Sequence, residues 1–136
     1  MRAEKVTAAV LGGDAGVAAL VGTRIYGNVA PEESDAPAPL LIYRKLGAER
    51  EYTVHLSGAM SGATVRAAIE VLCIATSYPQ LKALAEAVRL AMSGAAGTIA
   101  GVAVGYVRLT DEGADEYAPD TREHLQALTF EIAHSE

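Results

Sequence analysis

The stretch Thr64-Val-Arg-Ala-Ala-Ile-Glu-Val-Leu-Cys-Ile-Ala-Thr76 decides the fold, because its side chains alternate with a period of two. The apolar positions of this alternation are Val65, Ala67, Ile69, Val71, Cys73 and Ala75. Such a pattern predicts a strand with one fully buried face. The other face begins polar at Arg66 and Glu70 and becomes apolar at Leu72 and Ile74. We therefore expect the second half of this strand to lie centrally in a sheet.

A helix is predicted after this strand, starting at Ser77-Tyr78-Pro79. Serine caps helices, and proline fits their first turn. A core-facing stripe at helical spacing consists of Leu81, Leu84, Ala85, Val88 and Met92. The opposite side carries Ala83, Ala87 and Leu90, none of which is polar. A helix that is apolar on two sides is either sandwiched within its domain or covered by a partner. These three residues are therefore candidates for a subunit or partner interface.

Composition limits the class of protein. The 136 residues fit one domain, residues 1–136, with a single core. The formal net charge of -6 argues against a groove that grips nucleic acid phosphates. Aromatic residues make up only 5%, so we expect part of the apolar surface to be buried in an assembly. No apolar run has membrane-spanning length, and Glu4 and Lys5 do not fit a signal peptide. The sequence predicts a soluble protein of the cytosol, or of a particle assembled there.

The remaining patterns predict the fold class. The predicted elements are short helices at 3–11 and 14–21, a brief extended segment at 24–27, a surface loop at 29–39, and strands at 40–46, 51–56, 98–110 and 122–134. The sequence predicts a turn at Ala48-Glu49-Arg50 between the strands at 40–46 and 51–56. Short connections favour antiparallel neighbours. We therefore expect an α+β fold with a mainly antiparallel sheet of about five strands, one long helix packed on a face and two short N-terminal helices.

No set of residues in the sequence suggests catalysis. His55, His124 and His134 lack the spacing of metal ligands. Cys73 alternates with core residues, which predicts a buried and inert thiol. Gly12-Gly13 and the segment from Gly94 to Gly97 lack the patterns that bind phosphates, so both indicate turns. The sequence therefore predicts a protein that is not an enzyme and that uses no metal or cofactor.

Two groups of charged residues have opposite signs. The acidic group consists of Asp111, Glu112, Asp115, Glu116 and Asp120, and the basic group of Arg44, Lys45, Arg50 and Arg66. The acidic spacing does not match a calcium-binding loop, so a solvated loop is the simpler interpretation. Complementary groups can fix the register of a homo-oligomer. Salt bridges within one chain are an equally good explanation of the same pattern.

An ordered set of short motifs resembles the tail-completion family of long-tailed phages and gene transfer agents. The motifs are Val17-Ala-Ala-Leu-Val-Gly-Thr-Arg-Ile-Tyr26, Ala30-Pro31, Pro39-Leu-Leu-Ile-Tyr43, Glu51-Tyr-Thr53, Leu56-Ser-Gly58, Val65-Arg66, the helix from Tyr78 to Arg89, and Asp111-Glu112 followed by Tyr117-x-Pro119-Asp120-Thr121. This family includes tail terminators and tail-to-head joining proteins, and the resemblance spans nearly the whole chain.

The resemblance implies a structural virion protein without catalytic residues. Such a protein assembles as a ring, usually of six copies, at the head-proximal end of the tail. It caps polymerisation of the tail tube protein and joins the tail to head-completion proteins, and DNA passes through its lumen. An alternative within the class is another head–tail connector or joining protein. The alternative outside it is a small α+β ligand-binding or enzymatic domain, which would need a concave pocket with converging polar groups.

Overall fold

A computed structural model describes residues 2–31, 37–54 and 60–135, with side chains described for all of these except 52–54 and 60–63. His55, Glu32, Glu33 and Asp35 lie outside the described residues, as do Leu56-Ser-Gly58 of the family motifs. Within the described ranges, no helix is both long enough and apolar enough to cross a membrane.

The described residues form three helices: α1 (Arg2–Gly13), α2 (Ala15–Val21) and α3 (Tyr78–Met92). The Asp14 side chain accepts a hydrogen bond from the backbone N–H of Val17 and caps α2. Ser77 accepts one from the N–H of Gln80 and caps α3. The cap at Ser77 confirms the prediction from sequence, and Asp14 at the start of the predicted helix 14–21 acts in the same way, because short oxygen-bearing side chains satisfy the free N–H groups of a first turn.

Seven strands lie in one sheet across the described residues: β1 (Ile25–Gly27), β2 (Leu40–Val54), β3 (Met60–Ala75), β4 (Gly97–Ile99), β5 (Val102–Glu112), β6 (Glu116–Ala118) and β7 (Glu123–Ser135). Their order is β1-β2-β3-β7-β5-β4, and β6 pairs with the first residues of β7. Strand β1 runs parallel to β2, whereas the other pairs are antiparallel. The sheet is therefore mixed, and it is curled.

The predicted fold class is wrong. The described chain is mostly sheet, with more than five strands, one parallel pair, and three short helices in place of one long helix and two short ones. Three strands have three residues each: β1 lies in the predicted extended segment at 24–27, β4 overlaps the strand predicted at 98–110, and β6 lies in the segment predicted as a solvated loop. Three residues are too few to show a period of two, so pairing with longer strands decides their conformation.

The turn predicted at Ala48-Glu49-Arg50 is also wrong. These residues lie within β2 and pair with Ala67, Arg66 and Val65 of β3. They include no glycine, proline or asparagine to favour a turn, and the long ladder with β3 keeps them extended. The irregularity occurs earlier, as a register shift between Lys45 and Gly47.

The strand predicted at 98–110 is instead a hairpin. Ala100 and Gly101 have φ values of 51° and 78° and connect β4 to β5. Two consecutive residues with positive φ match the twist of a two-residue hairpin. The second glycine of the predicted strand, Gly105, does lie at a register shift, between Val104 and Tyr106. A glycine within a strand commonly occupies such an irregularity.

The core lies between one face of the sheet and the three helices. Its largest fully buried side chains include Phe130, Ile69, Leu84 and Leu11. All five residues of the predicted α3 stripe are buried, which confirms that part of the prediction. On the other face, Leu40 and Ile74 form a smaller apolar cluster.

Candidate assembly surface

The back of α3 is only partly free. Ala83 is exposed and Leu90 is 62% exposed, whereas Ala87 is half-buried and packs against the core. A leucine this exposed on a rigid helix presents apolar surface that a partner can cover. The structure therefore leaves Ala83 and Leu90 available for contact and places Ala87 at the margin of that surface.

The four predicted basic residues do not form one patch. Because side chains alternate along a strand, Arg44 and Arg66 lie on the face opposite the helices, and Lys45 and Arg50 lie on the helix side. On the outer face, Nε of Arg44 donates to Oε1 of Glu70 at 2.9 Å. Nη2 of Arg66 donates to Oε1 of Glu51 at 3.0 Å. Salt bridges within the chain thus account for Arg44 and Arg66.

Lys45 and Arg50 instead line a cleft at the N-terminal end of α1. Its other charged lining residues are Arg2 and Glu4, and His134 also lines it. The cleft contains more cationic than anionic side chains, in a protein whose net charge is negative. It could therefore accept an acidic group.

The predicted acidic residues are all exposed, but they belong to different elements. Asp111 and Glu112 end β5, and Glu116 begins β6. Between them the chain is held close to β7 by Gly113, whose N–H donates to the carbonyl of Ala127 at 2.7 Å. A Cβ at Gly113 would lie 2.8 Å from that oxygen, so only glycine fits this approach.

Asp115 is attached to α3. Its carboxylate accepts a hydrogen bond of 2.7 Å from the Tyr78 hydroxyl and another from the Lys82 ammonium group. These hydrogen bonds hold the pKa of the Asp115 carboxyl below its ordinary value, because both favour the ionised form. The bond from Lys82 has the larger effect, and the bond from Tyr78 the smaller one. Lys82 also donates to Oε1 of Gln126 at 3.3 Å. This network fixes the acidic segment to the start of α3.

An aromatic group beside this network was missed from the sequence. The Tyr117 and His124 ring centroids lie 4.9 Å apart, and Tyr78 lies 6.1 Å from His124. Tyr117 is 52% exposed and Tyr78 is 47% exposed. Exposed tyrosines are common at protein interfaces. No pattern in the sequence could indicate the group, since α3, β6 and β7 each contribute one residue.

The outer face of the sheet carries a second network that sequence reasoning missed. Glu131 accepts hydrogen bonds from Arg108 and, at 2.9 Å, from the Tyr106 hydroxyl. These bonds hold the pKa of the Glu131 carboxyl below its ordinary value, and the bond from Arg108 has the larger effect. Arg66 approaches the same carboxylate at 4.0 Å. Ion pairs therefore connect β5, β7 and β3 on the face that the helices leave open.

Within the described residues, the remaining candidates for chemistry are the thiol and the metal-ligating types of side chain. Cys73 is fully buried, which confirms its predicted burial, and burial raises its thiol pKa to about 12. Among residues 2–31, 37–54 and 60–135, no group of three or more His, Cys, Asp or Glu residues is arranged to hold a metal ion.

A family model described as "Tail completion protein gp17" matches residues 5–135, almost the entire chain. The chain belongs to this family. The resemblance inferred from the ordered motifs is thereby confirmed. This tail-completion chain is accordingly a structural protein of a phage-type tail and a virion component.

A solved structure has the same fold. It is a chain of the "Virion of native gene transfer agent (GTA) particle", with a TM-score of 0.68 and 22% sequence identity. The match covers 98% of the tail-completion chain and 97% of the chain from the gene transfer agent particle. A search of curated proteins gave no match.

Proposed function

We propose that this protein forms a closed ring at the head-proximal end of the tail tube. The ring terminates polymerisation of the tube protein and joins the tail to head-completion proteins, and DNA passes through its lumen. The observation that carries the proposal is the match of the tail-completion family to residues 5–135. The fold shared over almost its full length with a chain of a gene transfer agent virion supports it. The proposal assigns the protein no catalytic activity and no cofactor.

The surface is compatible with a repeated contact between copies. Ala83 and Leu90 offer small and apolar side chains on a rigid helix. A ring arises when one patch contacts a different patch on the next copy and the rotation closes. We propose six copies, assembled in the cytoplasm of the host bacterium and retained in the virion.

The acidic balance suits a channel through which DNA must slide. Each phosphate that a protein neutralises adds affinity for DNA, so a lumen rich in cations would retain the genome. Within the described ranges, Asp111, Glu116 and Asp120 have no salt-bridge partner. We propose that some of the five acidic residues face the lumen or the subunit interface.

The decisive experiment is to mix the purified protein with tail tubes that lack a terminator and to image them by negative-stain electron microscopy. We expect rings at one end of each tube and tubes of uniform length. A protein that stays monomeric and leaves tube length uncontrolled would refute the proposal. Rings that bind only head connectors would instead favour the alternative of a head–tail connector.

A charge-reversal variant tests the acidic residues separately. Replacing Asp111, Glu112, Asp115, Glu116 and Asp120 by lysine should impair ring formation or DNA passage. Circular dichroism shows whether this variant still folds. Folded protein with unchanged rings and unchanged particle infectivity would exclude a role for these residues.

A further inference from the structure

The sheet has two incompletely paired edges, one at β2 and one at β5. Strand β1 covers β2 only from Leu41 to Tyr43, and every β2 residue from Arg44 to Glu51 is exposed. At the other end, β4 covers Val102 to Val104 of β5, and the N–H of Gly94 donates to the carbonyl of Val107. Across the described ranges, no strand pairs with the outer side of β2 after Tyr43 or of β5 after Val107. Unpaired edges of this kind are templates for another strand.

The backbone groups directed outward at these edges can be identified. The carbonyl of Tyr43 points away from β3, because it accepts a hydrogen bond of 2.7 Å from Asn28. Backbone direction repeats every second residue, so the N–H and C=O of Lys45 point the same way. The carbonyl of Val107 points away from β7, because it accepts a hydrogen bond from Gly94. By the same rule, the N–H and C=O of Leu109 also point away from β7. No described residue bonds to the outward groups of Lys45 or Leu109.

These two residues lie on one row of the sheet. A row of paired residues runs from β2 through β3 and β7 to β5. The row of these two residues is Lys45, Ile69, Phe130 and Leu109. The row on one side of it is Arg44, Glu70, Thr129 and Asp111, and the row on the other side is Gly47, Ala68, Glu131 and Arg108. The free parts of the two edges are therefore at the same level. A second copy placed beside the first without a shift along the strands would bring them together.

The strand directions agree with such an arrangement. Strands β2, β3, β7 and β5 alternate in direction, so β5 runs antiparallel to β2 within one chain. A copy that continues the sheet in the same sense presents its β5 antiparallel to the β2 of its neighbour. Charge also agrees, because the row pairing places Asp111 of one copy beside Arg44 of the next, whose exposed guanidinium has further N–H groups besides the one bonded to Glu70.

We propose that successive copies are joined by this strand pairing, with Lys45 opposite Leu109 and Arg44 beside Asp111 of the next copy. This proposal rests on the ring described above and names its subunit contact. The contact is heterologous, since one copy contributes β2 and the other β5, and heterologous contacts close into rings when the rotation allows. Closure would pair the free part of β5 with the β2 residues beside it, which reduces the aggregation hazard of open edges.

A proline at Lys45 provides a direct test. Proline lacks an N–H, but it is tolerated on an edge strand where the N–H faces outward. We expect Lys45→Pro to remain folded and to lose ring formation in sedimentation velocity and electron microscopy. The matched control, Lys45→Ala, removes the same side chain and keeps the N–H, so it should still form rings. Rings formed by folded Lys45→Pro protein would overturn the proposed joint.

A double-mutant cycle tests the joint independently if the proline variant does not fold. Arg44→Ala and Asp111→Ala should each weaken association roughly tenfold, the change expected for one interfacial charge pair. The double variant should lose little more than either single variant. Two single losses that simply add in the double variant would overturn the pairing of these residues. If the unmodified protein formed no ring with tail tubes present, the proposed function itself would fail, and the joint with it.

Discussion

The exposed leucine on α3 allows a quantitative test of the proposed interface. Leu90 is 62% exposed, and full burial of a leucine side chain contributes about 1.5–3 kcal/mol. A partner that covered the remaining exposed part would thus gain about 1–2 kcal/mol per copy from this residue. We expect Leu90→Gln to reduce the association constant by roughly 5- to 30-fold, for ring formation or for tube binding.

The stability of the single chain should not change, which separates assembly from folding. Leucine and glutamine have similar helix propensities, and position 90 contributes little to the core. The control in the same helix is Leu84→Ala, because Leu84 is fully buried. It should lower the free energy of unfolding by about 2–5 kcal/mol.

Both variants are measured by urea unfolding, by sedimentation velocity over a concentration series, and by co-sedimentation with tail tubes. The reasoning would be refuted if Leu90→Gln left ring association and tube binding unchanged. A loss of stability as large as that of Leu84→Ala would also refute it, since Leu90 would then belong to the core.

Three further predictions concern the core, the acidic segment and the thiol. Phe130 is fully buried on β7, so Phe130→Ala should lower the free energy of unfolding by about 3–5 kcal/mol in urea, and a smaller loss would mean that the site collapses. The lowered pKa of Asp115 stabilises the folded state at neutral pH, and this contribution declines once the pH falls below the ordinary value of 3.8. Asp115→Asn should therefore be less stable at pH 7 and show a weaker loss of stability on acidification, whereas parallel acid titrations of the two proteins would exclude the network. The raised thiol pKa and burial of Cys73 predict no iodoacetamide labelling in the folded protein and rapid labelling in urea, as measured by mass spectrometry.

Local pattern determined a substantial part of the fold. The alternation from Val65 to Ala75 is observed in β3, and its buried residues are those predicted. The caps at Asp14 and Ser77 and the buried stripe of α3 also follow from neighbouring residues. These features could be predicted because each depends on contacts within one turn or on one periodic face. The ordered motifs, in turn, were sufficient to identify the family.

Tertiary pairing decided the rest. Ala48-Glu49-Arg50 has no strong preference for a strand, and the ladder with β3 makes it one. The positive φ values at Ala100 and Gly101 become necessary only because β4 folds back on β5. Strand β1 is three residues long and depends on β2, which follows it in the sequence.

The fate of the charged residues was likewise decided in three dimensions. The sequence left open whether the basic and acidic residues pair within the chain or between copies. The structure pairs Arg44 with Glu70 and Lys82 with Asp115, and it separates Lys45 from Arg44 onto opposite faces. An ion pair depends on distances of a few ångströms between residues far apart in sequence. Composition records which charges a chain has, whereas the register of its strands determines which of them meet.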